Sequence, residues 1–165
     1  MKKIDIIGAG PTGLVLANLL SASDEYKVSV FEKRSESELF RVTGNKTINL
    51  TLSNRGLRTL AELGLEDRVR EKSVPVIGRM LHRSDNPNVV QLYGDYTKKP
   101  KIHSIRRHDL LQVLYEPIAN SERVTIHFGQ EFNRLNKREN VFTCKDQDTG
   151  TENTHSLDLL LGCDG

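Results

Sequence analysis

The 165-residue sequence contains no tryptophan, and aromatic residues make up only 5% of it. Proteins that hold single-stranded nucleic acid usually stack the bases on aromatic side chains, so such a platform is not expected here. Lysines and arginines number 24 against 22 aspartates and glutamates, which gives a formal net charge of +2. This balance gives no reason to expect a surface that binds nucleic acid or an acidic membrane.

Cysteine is scarce as well. The two cysteines, Cys144 and Cys163, cannot form a metal cage or a disulfide framework. A single bond between them is possible, but reduced thiols in an intracellular chain are the better interpretation. The five histidines are scattered and form neither an HExxH motif nor a pair with cysteine. The sequence therefore predicts no metal site.

No apolar run is long enough to span a membrane. The stretch after Lys2 and Lys3 resembles a signal peptide in outline, but Asp5 and Pro11 interrupt it. A hydrophobic content of 36% with nearly cancelling charges favours a folded domain over a disordered chain. The length corresponds to about one domain, so we expect one soluble domain over residues 1–165.

A glycine-rich segment near the N-terminus carries the clearest functional signal. Residues 4–7 predict a buried strand, and Gly8, Gly10 and Gly13 follow it at the spacing of a dinucleotide-binding turn. The first glycine allows the tight turn, the second lets the backbone approach a pyrophosphate, and the third lets helix and strand pack closely. An apolar helix ending near residue 21 and a second strand over residues 26–31 complete a βαβ unit.

Glu32 ends the second predicted strand, 19 residues after Gly13 (32 − 13 = 19). An acid at about this spacing binds the ribose hydroxyls of a dinucleotide. Its negative charge would repel a 2′-phosphate, so the segment suits FAD or NAD rather than NADP. The fingerprint alone does not choose between FAD and NAD, and an NAD-binding dehydrogenase domain stays open at this point.

The rest of the chain alternates between strand and helix patterns, and no linker divides it. We expect a loop over residues 35–47, Ser53 as the N-cap of a helix that stops at Gly64, and a helix over residues 108–118. A further short helix is expected over 66–72, and strands over 48–52, 76–82, 89–93, 102–105 and 124–128, with hairpin strands near 131–137, 140–145 and 154–161.

Several motifs, in order along the chain, resemble those of the flavin-dependent aromatic hydroxylases. They include F-E-K-R at 31–34, I-N-L-T-L-S at 48–53, G-R-M-L-H at 78–82, L-Y-G at 92–94 and G-C-D-G at 162–165. Within that family they are most similar to the members that hydroxylate kynurenine. The resemblance covers nearly the whole chain. It implies an α/β Rossmann-like FAD-binding fold: a parallel sheet with the βαβ glycine turn, a β-meander and a few substrate-side strands.

The resemblance also implies which residues meet the cofactor. The FAD pyrophosphate would lie at the glycine turn together with Thr12, and the adenosine ribose would lie at Glu32. Thr51 would lie near the flavin, Arg107 near the phosphate or ribityl chain, and Phe132 by the adenine. The remaining residues implied at FAD are Phe31, Lys33, Arg34 and Asp164.

Arg79 and Tyr93 match the pair that holds a small aromatic amino-acid substrate in this family. An arginine makes a planar, bidentate contact with a carboxylate, and a tyrosine offers an apolar face and a hydroxyl. The implied reaction is 3-hydroxylation of L-kynurenine in tryptophan catabolism, with NADPH as reductant and O2 as co-substrate. Because that chemistry belongs mainly to the cofactor, no catalytic acid or base is nominated.

The family continues well past the D-G motif, with a second FAD-binding segment and most of the substrate sheet. The resemblance therefore implies that residues 1–165 are the N-terminal part of a larger monooxygenase. A catalytically incomplete FAD-binding fragment is the alternative. The sequence itself indicates no compartment. Eukaryotic members carry a C-terminal membrane anchor, so the resemblance implies an intracellular protein, cytoplasmic or, if the full-length protein carries that anchor, at the mitochondrial outer membrane.

Overall fold

The computed structural model describes residues 1–41, 48–84, 87–93 and 102–165. Two compact units divide the chain: residues 1–42 with 111–165 form the first, and residues 43–110 form the second. In chain order the elements are β1 (Lys2–Ile7), α1 (Pro11–Ser21), β2 (Tyr26–Glu32), α2 (Glu36–Leu39), β3 (Asn49–Ser53), α3 (Asn54–Glu62), α4 (Glu66–Glu71), β4 (Ser73–Pro75), β5 (Gly78–Leu81), β6 (Val89–Leu92), β7 (Ile102–Arg106), α5 (Arg107–Tyr115), β8 (Val124–Phe128), β9 (Gln130–Asn136), β10 (Val141–Asp146), β11 (Glu152–Ser156) and β12 (Leu159–Gly162).

Four parallel strands form the central sheet of the first unit, in the order β12-β1-β2-β8. Helix α1 connects β1 to β2, which confirms the predicted βαβ unit. Period-two alternation turns Ile6 and Val30 to the face that α1 covers, where both are fully buried with Leu14. The predicted Rossmann-like α/β fold is confirmed.

The opposite face of this sheet packs against an antiparallel meander of order β11-β10-β9. Ile7 and Phe31 from the sheet form a buried cluster with Phe142 and Cys144 from the meander. The rings of Phe31 and Phe142 meet edge to face, with centroids 5.2 Å apart. The sheet is thus covered on both faces, as expected for parallel strands.

The predicted loop over residues 35–47 is wrong in its first part, because α2 forms there. Ser35 and Glu38 make a capping box: Ser35 Oγ accepts from the Glu38 amide at 3.2 Å, and Glu38 Oε2 accepts from the Ser35 amide at 2.9 Å. This S-x-x-E pattern is a helix-start signal, but four helical residues are too few to show a hydrophobic period. Residues 42–47 lie outside the described part of the chain, as do 85–86 of the predicted turn at 84–88.

The predicted hairpin strand over residues 154–161 is two strands in different sheets. Strand β11 pairs antiparallel with β10, whereas β12 pairs parallel with β1. The chain passes between them at Leu157, whose amide donates to the Asn140 carbonyl at 2.8 Å. Period-two alternation identifies a strand but not its partner, so a single prediction covered both.

The second unit holds an antiparallel sheet of order β3-β7-β4 and the β5-β6 hairpin. Ser53, the last residue of β3, takes the predicted N-cap position of α3, but its side chain makes no capping hydrogen bond. Gly64 follows α3 with a φ of +69°, as predicted for a helix stop. Strand β4 was not predicted, since three residues show no alternation. No helix in the described ranges is both long and apolar enough to cross a membrane.

Asp5, His127 and His155 are titratable side chains on the meander side of the central sheet. The Asp5 side chain is fully buried, with Lys3 Nζ at 3.2 Å from its Oδ2. The His127 ring stacks on Phe31 at 4.7 Å, and His155 meets the same ring at 4.7 Å. Burial raises the pKa of Asp5 and lowers the pKa values of both histidines.

We expect the free energy of unfolding to fall as the pH drops below about 6.5, because the folded chain disfavours charged His127 and His155. His155→Phe keeps the ring contacts and removes one titrating group, whose Nε2 is buried without a hydrogen-bond partner among the described residues. That variant is expected to lose less stability between about pH 7.5 and 5.5 than the wild type. Thermal unfolding across this range checks it, and parallel pH profiles would contradict it. Asp5 acts with the opposite sign in both proteins, so it cancels in the comparison.

Candidate cofactor site

Strand β1 leads directly into the glycine turn that begins α1. Gly8 has a φ of +98°, a left-handed conformation that favours glycine, and its amide donates to the Phe31 carbonyl at 2.8 Å. A Cβ on Gly8 would lie 2.8 Å from the Cys163 carbonyl oxygen. The chain after β12 therefore packs against the turn, which local sequence reasoning did not foresee.

Gly13 lies in the first turn of α1, where the helix crosses the end of β1. A Cβ at this position would lie 1.9 Å from the Gly8 carbonyl oxygen and 3.4 Å from the Ile6 side chain. The backbone oxygen cannot move aside without moving the strand. Gly13 thus permits the close helix–strand packing that its spacing predicts.

Gly10 differs from the other two glycines. Its φ of −71° and ψ of 179° are open to any residue, and the nearest atom to a Cβ there would be the Cys163 oxygen, at 3.9 Å. Neither backbone conformation nor packing among the described residues requires a glycine, so the position leaves room for a group from outside. At the start of α1 no side chain caps the helix and no acid lies in its first turn. The turn fits a pyrophosphate.

The Glu32 side chain is only 3% exposed and lies against this turn. Its Oε2 accepts from the Ala9 amide at 2.9 Å, and the Arg34 guanidinium pairs with both carboxylate oxygens, at 2.7 and 3.1 Å. Burial acts to raise the pKa of Glu32, but the hydrogen bonds from Arg34 and Ala9 outweigh it and lower that pKa. Glu32 is therefore ionised at neutral pH.

The Arg34 pair with Glu32 was not predicted. With the Arg34 amide at 3.0 Å from Oε1, the carboxylate accepts four hydrogen bonds, about its full capacity. Ribose hydroxyls would therefore reach Glu32 where the Arg34 guanidinium now lies. The Arg34 side chain is 29% exposed, so solvent is open to it.

Of the other residues implied at FAD in the first unit, the structure brings two, Phe31 and Asp164, to Gly8 of the turn. The Phe31 side chain is buried in the core, so only its backbone carbonyl meets the turn. Phe132 packs, half-buried, against the same core cluster. The Asp164 Cα would lie 3.0 Å from a Cβ on Gly8. Thr12 and Lys33 are exposed.

Thr51 and Arg107 belong to the second unit. Thr51 is exposed on β3, opposite Ser104 of β7. Arg107 begins α5, and its amide donates to the Ile48 carbonyl at 2.8 Å, just ahead of β3. The β3-β7 pairing thus fixes the backbone at both residues.

The structure places Arg79 and Tyr93 on one face of the β5-β6 hairpin. Arg79 pairs with Gln91, and the Tyr93 amide donates to the Ile77 carbonyl at 2.9 Å, which continues the same register. Directly opposite residues in an antiparallel pair share a face, as do residues two apart on a strand. The strands are close at Gly78, where a Cβ would lie 2.7 Å from the Gln91 oxygen. The sequence alone could not bring this pair together.

The sequence matches the FAD binding domain family over residues 2–165. The chain belongs to this family. FAD is therefore the cofactor of the family's domain, which decides between the two dinucleotides that the glycine fingerprint allows.

Among the relatives of this FAD-binding domain are two proteins named kynurenine 3-monooxygenase. The protein from Sus scrofa is 32% identical over 98% of this chain and 34% of its own length. The protein from Stenotrophomonas maltophilia (strain K279a) is 30% identical over 99% of this chain and 35% of its own length. The chain thus spans about a third of the length of these curated relatives.

Solved structures of similar fold include the flavin-dependent monooxygenase PieE in complex with FAD and substrate. It superposes with a TM-score of 0.77 at 24% identity, covering 99% of this chain and 30% of that one. The structure of 2-methyl-3-hydroxypyridine-5-carboxylic acid oxygenase gives a TM-score of 0.76 at 23% identity, covering all of this chain and 40% of that one. At these identities the likeness shows a shared fold.

Proposed function

We propose that the chain is the FAD-binding part of a monooxygenase that hydroxylates the ring of L-kynurenine, with NADPH as reductant and O2 as co-substrate. The choice of substrate rests on one observation, that Arg79 and Tyr93 share one face of the hairpin. The guanidinium suits the carboxylate of an amino acid, and the phenol suits its aromatic part. The shared name of the relatives, kynurenine 3-monooxygenase, supports the same substrate.

In this proposal the pyrophosphate of FAD lies over Gly10 at the start of α1. The amides of the first helical turn and the helix dipole favour its negative charge. The Glu32 carboxylate binds the adenosine ribose, whose hydroxyls replace the hydrogen bonds that the Arg34 guanidinium donates in this structure. When bound, FAD supplies the redox chemistry that links NADPH and O2 to ring hydroxylation. The contribution of the protein is to bind and orient the cofactor and the ring.

A second candidate is FAD binding without turnover, since the chain spans about a third of the length of its relatives. One experiment separates the two. The purified chain is loaded with FAD, its visible spectrum is recorded, and NADPH oxidation is followed with and without L-kynurenine. Retained FAD with kynurenine-stimulated oxidation and a hydroxylated product supports the monooxygenase. Retained FAD without stimulation supports the second candidate, and failure to bind FAD contradicts both.

A further inference from the structure

We propose that Gln91 is a positioning residue that sets how Arg79 receives the substrate carboxylate. This inference rests on the proposed function, in which Arg79 binds the carboxylate of an aromatic amino acid. Gln91 lies directly opposite Arg79 in the β5-β6 hairpin. The Arg79 Nε–H donates to Gln91 Oε1 at 2.8 Å.

Because Gln91 is hydrogen-bonded to Nε of Arg79, it determines which edge of the guanidinium is free to bind a carboxylate. A guanidinium can receive a carboxylate along its side, through Nε and one Nη, or at its end, through both Nη atoms. Since Gln91 occupies Nε, the edge formed by the two Nη atoms is the one that still presents two donors to a substrate. The glutamine amide is neutral, so it fixes the guanidinium without cancelling the positive charge that attracts the carboxylate. A carboxylate at position 91 would compete with the substrate.

The position of Tyr93 makes this orientation relevant to an aromatic amino acid. Tyr93 lies two residues after Gln91 on the same face, so it is a diagonal cross-strand neighbour of Arg79. Such neighbours lie about 7–8 Å apart, within reach of one substrate that carries a carboxylate at one end and a ring at the other. Gln91 therefore lies on the same hairpin face as Arg79 and Tyr93, the two residues proposed to bind the substrate, and it orients Arg79.

The test compares two ligands on the FAD-loaded chain by isothermal titration calorimetry. One is L-kynurenine, and the other is kynuramine, which lacks the carboxylate. Gln91→Ala is expected to weaken L-kynurenine about five- to tenfold, the loss expected for one hydrogen bond, and to leave kynuramine unchanged. Gln91→Glu is expected to weaken L-kynurenine more strongly than Gln91→Ala does. Val90→Thr changes an exposed residue on the opposite face and serves as the matched control, with both affinities unchanged.

A second readout follows Arg79 itself. The Nε–H of Arg79 is expected to give a protected NMR signal in the wild type that exchanges faster in Gln91→Ala. Unchanged ligand discrimination in Gln91→Ala, or equal weakening of both ligands, would overturn the positioning role. If the wild type does not discriminate between the ligands, the proposed function fails and the substrate inference fails with it. The NMR signal then still reports whether Gln91 holds Arg79.

Discussion

Gly13→Ala is expected to abolish detectable FAD binding. The new Cβ would lie 1.9 Å from the Gly8 carbonyl oxygen, so α1 must shift by more than 1 Å away from β1. That shift moves the first turn of the helix away from the place where the pyrophosphate binds. Overpacking of this kind also lowers the free energy of unfolding, by about 3 kcal/mol. A flavin-fluorescence titration measures the binding, and thermal unfolding measures the stability.

Gly56→Ala is the matched control, because it makes the same change in another helix. A Cβ there would lie at an ordinary 3.6 Å from the Leu52 side chain. Alanine is the better helix former, so stability is expected to stay the same or to rise by about 0.5–1 kcal/mol. FAD affinity is expected to stay at the wild-type value. Wild-type FAD affinity in Gly13→Ala would refute the packing role assigned to that glycine.

Glu32→Gln is expected to weaken FAD binding about tenfold or more, which corresponds to about 1.4 kcal/mol or more. The side-chain oxygen of the new glutamine still accepts from the Ala9 backbone amide. Its NH2 group, however, faces the Arg34 guanidinium, and two donors cannot form a hydrogen bond with each other. The ion pair is lost, and the charged acceptor for the ribose is lost with it. A FAD titration with the variant at neutral pH measures the effect.

Glu25→Gln removes one negative charge from an exposed position in the same unit and controls for net charge. Its FAD affinity is expected to match the wild type. An equal loss in both variants would show that overall charge, rather than the Glu32 carboxylate, governs binding. An unchanged affinity in Glu32→Gln would remove Glu32 from the site.

The parts of the fold that could be predicted depend on residues close together in the chain. The run before Gly8, the glycine spacing and the distance to Glu32 are local patterns, and the βαβ unit follows them. Helix α2 shows the limit of this reasoning, since its capping box was present at Ser35 and Glu38 while its length hid the period. Local patterns therefore identify the long elements and the turn between them.

The contacts that the sequence could not give join residues far apart. The Cys163 carbonyl reaches Gly8 only because β12 returns to the central sheet beside β1. The Arg34 side chain forms an ion pair with Glu32, whereas the sequence indicated only that Arg34 lies near the cofactor. Gln91 faces Arg79 through the register of a hairpin. Strand pairing and side-chain direction set all three, and neither is readable from composition or spacing.

We expect FAD to bind with its pyrophosphate against the open position at Gly10. Gly10→Ala probes this position without disturbing the fold around it, because nothing described lies closer than 3.9 Å to the new Cβ and the backbone is already in an ordinary conformation. Without FAD, the variant is expected to lose no more than about 1 kcal/mol of stability, because Gly10 is the N-cap of α1 and alanine is a weaker N-cap residue than glycine. Its dissociation constant for FAD is expected to rise at least about tenfold, because the methyl group occupies the space of the phosphate. Wild-type FAD affinity in a stably folded Gly10→Ala chain would show that the pyrophosphate does not lie against Gly10.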